Sequence, residues 1–134
     1  MFDLALTYQR MDRDYEAAEV LEEMRELQSA RPGDVQADLL VTMNMLAKSY
    51  IALRQGEKAE ELLLELLSMR TQYSLKHPQE NDARCYWAQT FGQLGQAQEI
   101  KQDLPAANTS YQHCVAAFSK LSREGKLASP YFEG

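Results

Sequence analysis

Four side chains in this sequence are of the types that most readily carry nucleophilic, redox or metal chemistry: His77, Cys85, His113 and Cys114. Their spacing argues against each use. His113 and Cys114 are sequence neighbours, and adjacent helical residues point about 100° apart, so the two suit no shared ligand. His77 falls in a different part of the chain and has no companion. Cys85 lies 18 residues before a turn near Asp103 and Cys114 lies 11 after it. In an antiparallel helical hairpin that difference is about 10 Å of axial offset, too far for a disulfide. Both thiols are therefore expected to be reduced, with Cys114 in the core. HExxH, CxxC, a phosphate-cradling glycine loop and a nucleophile elbow are all missing from the sequence. No enzyme, metal or cofactor is expected.

Binding residues are the next candidates. Tyr86 and Trp87 are the aromatic types that anchor protein partners. The competing expectation, and the favoured one, is that they pack against the preceding helix, with Tyr73 as a neighbour. Asp12, Asp14, Glu16, Glu19, Glu22, Glu23 and Glu26 concentrate the excess behind the net charge of −6. Such a run is ordinarily a solvated face, docking of a basic partner being the alternative. No run of Lys and Arg offsets it, which disfavours nucleic acid and anionic membranes, since both need a cationic footprint. No apolar stretch approaches the ~20 residues of a membrane span. Met1 to Arg13 has neither a basic n-region nor a small-residue cleavage site, so a cytoplasmic setting is expected. The helical pattern opens almost at Met1, as in a piece of a longer chain.

The elements that must position these residues are helical throughout. No stretch alternates apolar and polar residues between turn dipeptides. The breaks predict six helices. The first covers about Phe2 to Met11, and Asp12-Arg13-Asp14 forms a turn in which Asp14 caps a second helix running to Ala30. Arg31-Pro32-Gly33-Asp34 breaks the chain, with Asp34 as cap of a third helix from Val35 to Arg54. Gly56 is expected to end that helix in a left-handed conformation. The fourth helix then spans Glu57 to Leu75, with one stripe of Leu62, Leu66, Met69 and Tyr73 beside another of Leu63 and Leu67. A face that wide suits a helix held between two neighbours. His77-Pro78 makes the next break. A fifth helix covers Glu80 to Gln102, and Asp103 caps a sixth that ends near Arg123, with Pro105 in its first turn. Residues 127–134 read as a tail.

These helices form three pairs with a common internal pattern. Leu4-Ala5, Tyr8, Ala17, Leu21 and Met24 occur in the first. Leu46-Ala47, Tyr50, Ala59, Leu63 and Leu66 occur in the second, and Leu94-Gly95, Gln98, Ala107, Tyr111 and Cys114 in the third. Leucine and alanine stand 13 apart in every pair (4 to 17, 46 to 59, 94 to 107). Small residues at matched places let two helices approach closely, and the larger ones fill the space toward the next pair. One pair cannot bury both its faces, so stacking supplies the missing wall. A plain helical bundle is the simpler alternative.

Phe91, Leu94-Gly95, Ala107 and Tyr111 resemble the signature of the tetratricopeptide repeat family. Gln98 departs from it, standing where a tyrosine is expected. Thr42 to Ala47, Gly56, Ala59-Glu60 and the stretch from Arg70 to His77-Pro78 are similar to the long repeats of kinesin-light-chain type. The units are 42 and 48 residues apart, against about 34 in the common repeat. The resemblance implies an all-α fold of three stacked antiparallel helix pairs, an α-solenoid, over residues 1–126. Its units are about 2–30, 34–75 and 80–123, and residues 127–134 form a tail or partial cap.

By the same resemblance, the chain is expected to be an interaction scaffold. It would bind a peptide or helix of a partner protein in a concave groove lined by the first helices of the pairs. The lining positions carried over are Leu6, Gln9 and Arg10, then Asn44, Lys48 and Ile51, then Gln89, Gln96 and Glu99. Asn44 and Lys48 are of the polar types by which some members hold a peptide carboxylate, though the remaining residues of such a clamp are not evident. The alternative function is a sensory or regulatory domain of a larger protein, controlled by a peptide ligand. The sixth helix shows Tyr111, Val115, Phe118 and Leu121 with no helix after it. Either Leu127 to Phe132 folds back over that face, or self-association covers it.

Overall fold

Three turns, near copies of one another, set the architecture. The structure, a computed structural model, describes residues 2–30 and 36–125. They form α1 (Phe2–Arg10), α2 (Asp14–Ser29), α3 (Gln36–Ala52), α4 (Gly56–Lys76), α5 (Asn81–Ile100) and α6 (Leu104–Arg123). After α1, α3 and α5 one residue takes the left-handed conformation: Asp12 (φ 56°), Arg54 (φ 61°) and Gln102 (φ 64°). The next residue's N–H then bonds back five positions: Arg13 to Tyr8 at 2.8 Å, Gln55 to Tyr50 at 2.9 Å and Asp103 to Gln98 at 2.9 Å. The left-handed residue itself donates to the carbonyl three positions back, at 3.1, 3.0 and 2.9 Å respectively. This double closure satisfies carbonyls that the helix end leaves orphaned. The next helix starts two residues later in all three cases, at Asp14, Gly56 and Leu104.

The turns correct two expectations. Asp14 is not the cap of α2. Arg13 holds that position without a side-chain cap bond, and Asp14 is the first helical residue. Gly56 does not end α3 in a left-handed conformation either, since Arg54 does so and Gly56 opens α4. The glycine serves close approach instead: a Cβ there would stand 2.9 Å from the Ala97 carbonyl oxygen and 2.9 Å from Ile100 Cγ2. A conformation that costs a non-glycine residue roughly 1–2 kcal/mol is thus held by its two hydrogen bonds. Because the turn claims the last residues, α3 and α5 each stop two short of their expected ends. Asp103 caps α6 as expected, accepting from the Ala106 N–H at 3.3 Å, with proline in the first turn. The break at 31–35, with Asp34 as cap, and the tail at 127–134 lie outside the described residues.

Packing follows chain order: each helix lies chiefly against the next, and α3 also touches α5. The result is an all-helical, compact bundle, with no strand among the described residues. The matched alanines Ala17, Ala59 and Ala107 are all buried. Leu21, Leu46, Leu63 and Leu66 are fully enclosed, each burial stabilising by about 1.5–3 kcal/mol. α4 is held between α3 and α5, as its wide apolar face predicts.

Two departures within the pattern explain each other or replace like with like. Where the first two pairs carry Ala5 with Leu21 and Ala47 with Leu63, the third carries Gly95 with Tyr111. A Cβ on Gly95 would lie 2.6 Å from the Tyr111 ring, so the larger side chain requires the smaller partner. Gln98 replaces the tyrosine but keeps its connection. Tyr50 OH donates to Glu22 on α2 at 2.6 Å, and Gln98 Nε2 donates to Glu60 on α4 at 3.2 Å. Each thus reaches a carboxylate on the second helix of the preceding pair. Gln98 also accepts from Ser110 on α6 at 2.6 Å, and Glu60 takes a second bond from Lys101. The Lys101 ammonium holds the Glu60 carboxyl below its ordinary range against the opposing effect of burial, with a lesser contribution from Gln98.

Candidate functional site

The seam between α4 and α5 has two sides, and a cleft opens on each. Neighbouring residues are dealt to opposite sides because successive helical positions diverge by about 100°. Arg70, Tyr73 and Tyr86 go to the first cleft, while Thr71, Ser74 and Trp87 go to the second.

The first cleft, of ≈ 650 Å³, lies among α3, α4 and the start of α5. Ala37, Leu40, Val41 and Asn44 line one wall at helical spacing. Asp82, Ala83 and Tyr86 line the other, with Glu80 at the mouth and Arg70 and Tyr73 at the back. Arg70 is 7% exposed, and its guanidinium carbon sits 5.1 Å from the Tyr86 ring centre. A cation against an aromatic face is attracted by the ring quadrupole, more strongly where water is excluded. Tyr86 is 45% exposed, so it covers the arginine and also offers a ring to solvent. The side-chain oxygen of Asn44 is buried with no hydrogen-bond partner among the described residues. Leaving such an oxygen unsatisfied costs about 1–3 kcal/mol, which an incoming donor would recover.

The second cleft, of ≈ 660 Å³, lies among α4, α5 and α6. Its floor is aromatic. Trp87 Nε1 donates to Thr71 Oγ1 at 3.0 Å, and its ring stands edge-on to Phe91 with centroids 5.2 Å apart. Phe91 in turn contacts the His113 ring at 5.2 Å. Trp87 therefore packs on α4 as the favoured expectation had it, but through Thr71, while Tyr73 stacks on His77 at 4.2 Å. Arg84, His113 and Lys120 are the ionisable groups that line this cleft among the described residues. Arg84 pairs with Glu124 just beyond α6 at 3.1 Å.

Cys85 and Cys114 are not joined in a disulfide. Cys85 is fully buried, whereas Cys114, expected in the core, is only half-buried against Gly92. Burial pushes the Cys114 thiol up, with a smaller opposing effect from the Gly92 backbone, which keeps it protonated and unreactive. No cluster of three or more His, Cys, Asp or Glu side chains suited to a metal occurs among the described residues.

The nine expected groove residues are only partly brought together. Asn44 lines the first cleft. Lys48 is exposed one turn further along α3, and Gln89 is half-buried about one turn beyond Tyr86 on α5. Gln9 is already engaged, its amide donating to the Met45 carbonyl at 3.0 Å and to Ser49 Oγ at 2.8 Å. Ile51 packs against the main core. Glu99 bonds Tyr111 of α6, whose phenol is pushed up to about 12 by burial first and this carboxylate second. Leu6, Arg10 and Gln96 are exposed and line neither cleft. Arg70 went unnoticed as a site residue, though the sequence holds a signal for it. It continues the buried series Ala59, Leu62, Leu63 and Leu66 along α4, where an arginine is out of place.

No family model matches the chain, and no curated protein or solved structure matches it either. Among the described residues, no helix is long and apolar enough to cross a membrane.

Proposed function

We propose that this chain is a cytoplasmic interaction scaffold of tetratricopeptide-like helix pairs, and that it takes a peptide or helix of a partner protein in the first cleft. The thrice-repeated turn, with alanines buried at matched positions, supports stacking of like units rather than an irregular bundle. In such a stack the first helices α3 and α5 share one face, and the cleft between them is the natural seat for an extended or helical segment.

The observation that carries the reading is the composition of that seat. Apolar Leu40 and Val41 with Asn44, whose side-chain oxygen is buried, line the α3 wall, and Ala83 with the part-exposed Tyr86 ring lines the α5 wall. Apolar surface supplies affinity, and the unsatisfied oxygen selects a ligand that brings a donor such as a backbone N–H. Affinity capture with quantitative mass spectrometry tests this by comparing wild type with Asn44→Ala/Lys48→Glu and with Tyr86→Ala. Partners held in the first cleft are lost from both variants. Equal recovery of every partner by all three proteins would sink the reading.

A further inference from the structure

We propose that the segment taken up by the first cleft is basic: a stretch of a partner protein in which a lysine or arginine stands beside an apolar residue. The apolar side chain lies against Leu40 and Val41, and the cationic head meets Glu80 and Asp82. This rests on partner binding in that cleft and adds the kind of segment the cleft selects.

Among the described residues, Arg70, Glu80 and Asp82 are the charged groups that line this cleft. Their charges are not offered equally. Arg70 is buried and covered by the Tyr86 ring, whereas Glu80 and Asp82 are exposed. A segment entering the cleft therefore meets two carboxylates, and Asn44 adds a buried acceptor oxygen. All three call for donors, and a lysine ammonium or arginine guanidinium brings donors alone.

Neither carboxylate is consumed by the fold. Glu80 holds the N-cap position of α5, yet its side chain makes no cap bond. The His77 imidazole stands 4.0 Å away, too far for a hydrogen bond, and forms an ion pair with Glu80 only when protonated. Asp82 lies in the first turn of α5, where the helix dipole favours a carboxylate. That helix end is worth roughly half a charge, so Asp82 stays anionic toward the cleft. It has no ion pair among the described residues.

A basic side chain also suits the apolar surface. Its methylene stem packs along hydrophobic groups while the head stays in water, and Ala83 and the part-exposed Tyr86 ring share the α5 wall with Asp82. The stem, not the charge, uses that ring, whose π system already faces Arg70. The second cleft has the opposite preference. Lys120 lines it, no carboxylate does so among the described residues, and its Arg84 is paired with Glu124. Charge complementarity therefore sends a basic segment to the first cleft.

A displayed library of random short peptides, selected on the full chain and counter-selected on Tyr86→Ala, tests this. Peptides kept only by the wild type should be enriched in lysine or arginine next to an apolar residue. Their affinity, read by fluorescence anisotropy, should fall about 3- to 10-fold in Glu80→Gln/Asp82→Asn. The control is Glu19→Gln/Glu23→Gln, which removes two exposed carboxylates of α2 that line neither cleft. It should change affinity by less than about 2-fold. Circular dichroism checks the helices, and Glu80→Gln alone decides if the cleft double loses helicity. Unchanged affinity in the cleft variant overturns the proposal. So does an equal loss in the control, because the attraction would then belong to the acidic chain as a whole. Wild-type-specific peptides without basic enrichment overturn it too, while leaving partner binding in the first cleft standing. If no peptide distinguishes the wild type from Tyr86→Ala, both fall together.

Discussion

The two clefts have nearly the same size and share α4 and α5, yet they are opposite in character. The first holds a buried arginine beneath a half-exposed tyrosine, with carboxylates at its mouth. The second has an aromatic floor fixed by hydrogen bonding and edge-on packing, and is lined by Lys120 and by an Arg84 that pairs with Glu124. Tyr86 and Trp87 are adjacent in sequence but serve different sides. One residue step along a helix is enough to separate a part-exposed ring lying over Arg70 from a ring that packs on Thr71 and Phe91. The difference teaches that an aromatic pair in a helical bundle is best treated as two residues with two neighbourhoods.

Mutations can break or sharpen that contrast. Trp87→Ala should cost the most, about 3 kcal/mol by chemical denaturation, because the indole packs on both Thr71 and Phe91. A cost near that of Tyr86→Ala would erase the distinction. Gly95→Ala follows at about 2 kcal/mol, since the added methyl meets the Tyr111 ring. It should push α6 from α5 and expose Trp87 to quencher, while leaving binding in the first cleft intact. Thr71→Val removes the acceptor for the indole N–H and should cost about 1 kcal/mol, with a shift of the Trp87 emission. Tyr86→Ala should cost less than Trp87→Ala, about 0.5–1 kcal/mol, since the ring lies over the Arg70 guanidinium, and it should also reduce partner capture. Full capture by this variant would place the partner elsewhere.

Much of the fold was legible in the sequence because helix ends are written locally. Asp12-Arg13-Asp14, Gln55-Gly56 and Asp103 with Pro105 mark the three hairpin turns to within a residue or two. The alanine at 17, 59 and 107 found the buried contact of each pair. The roles inside the turns were not legible. Gly56 reads as a helix stop, the commonest use of glycine at a helix end, but α5 passes too close for any side chain there. The candidate site was legible in part. Asn44 lies in the first cleft, whereas Gln9 and Glu99 spend their polar groups on α3 and α6. Helical periodicity places a residue on a face, but it does not say whether a neighbouring helix has already bonded to it.

The sequence by itself determined the six helices of the described residues and the small residues at 17, 59 and 107 that are buried between neighbouring helices. These follow from backbone preference and from a 3.6-residue period, both properties of contiguous segments. Only the tertiary structure decided that the seam of α4 and α5 carries two unlike clefts. It also decided that Gln98 takes over the tyrosine's link to the preceding pair, and that Gly95 makes room for Tyr111. Each depends on side chains brought together from different helices, and the distance across such a contact is set by packing of the whole bundle.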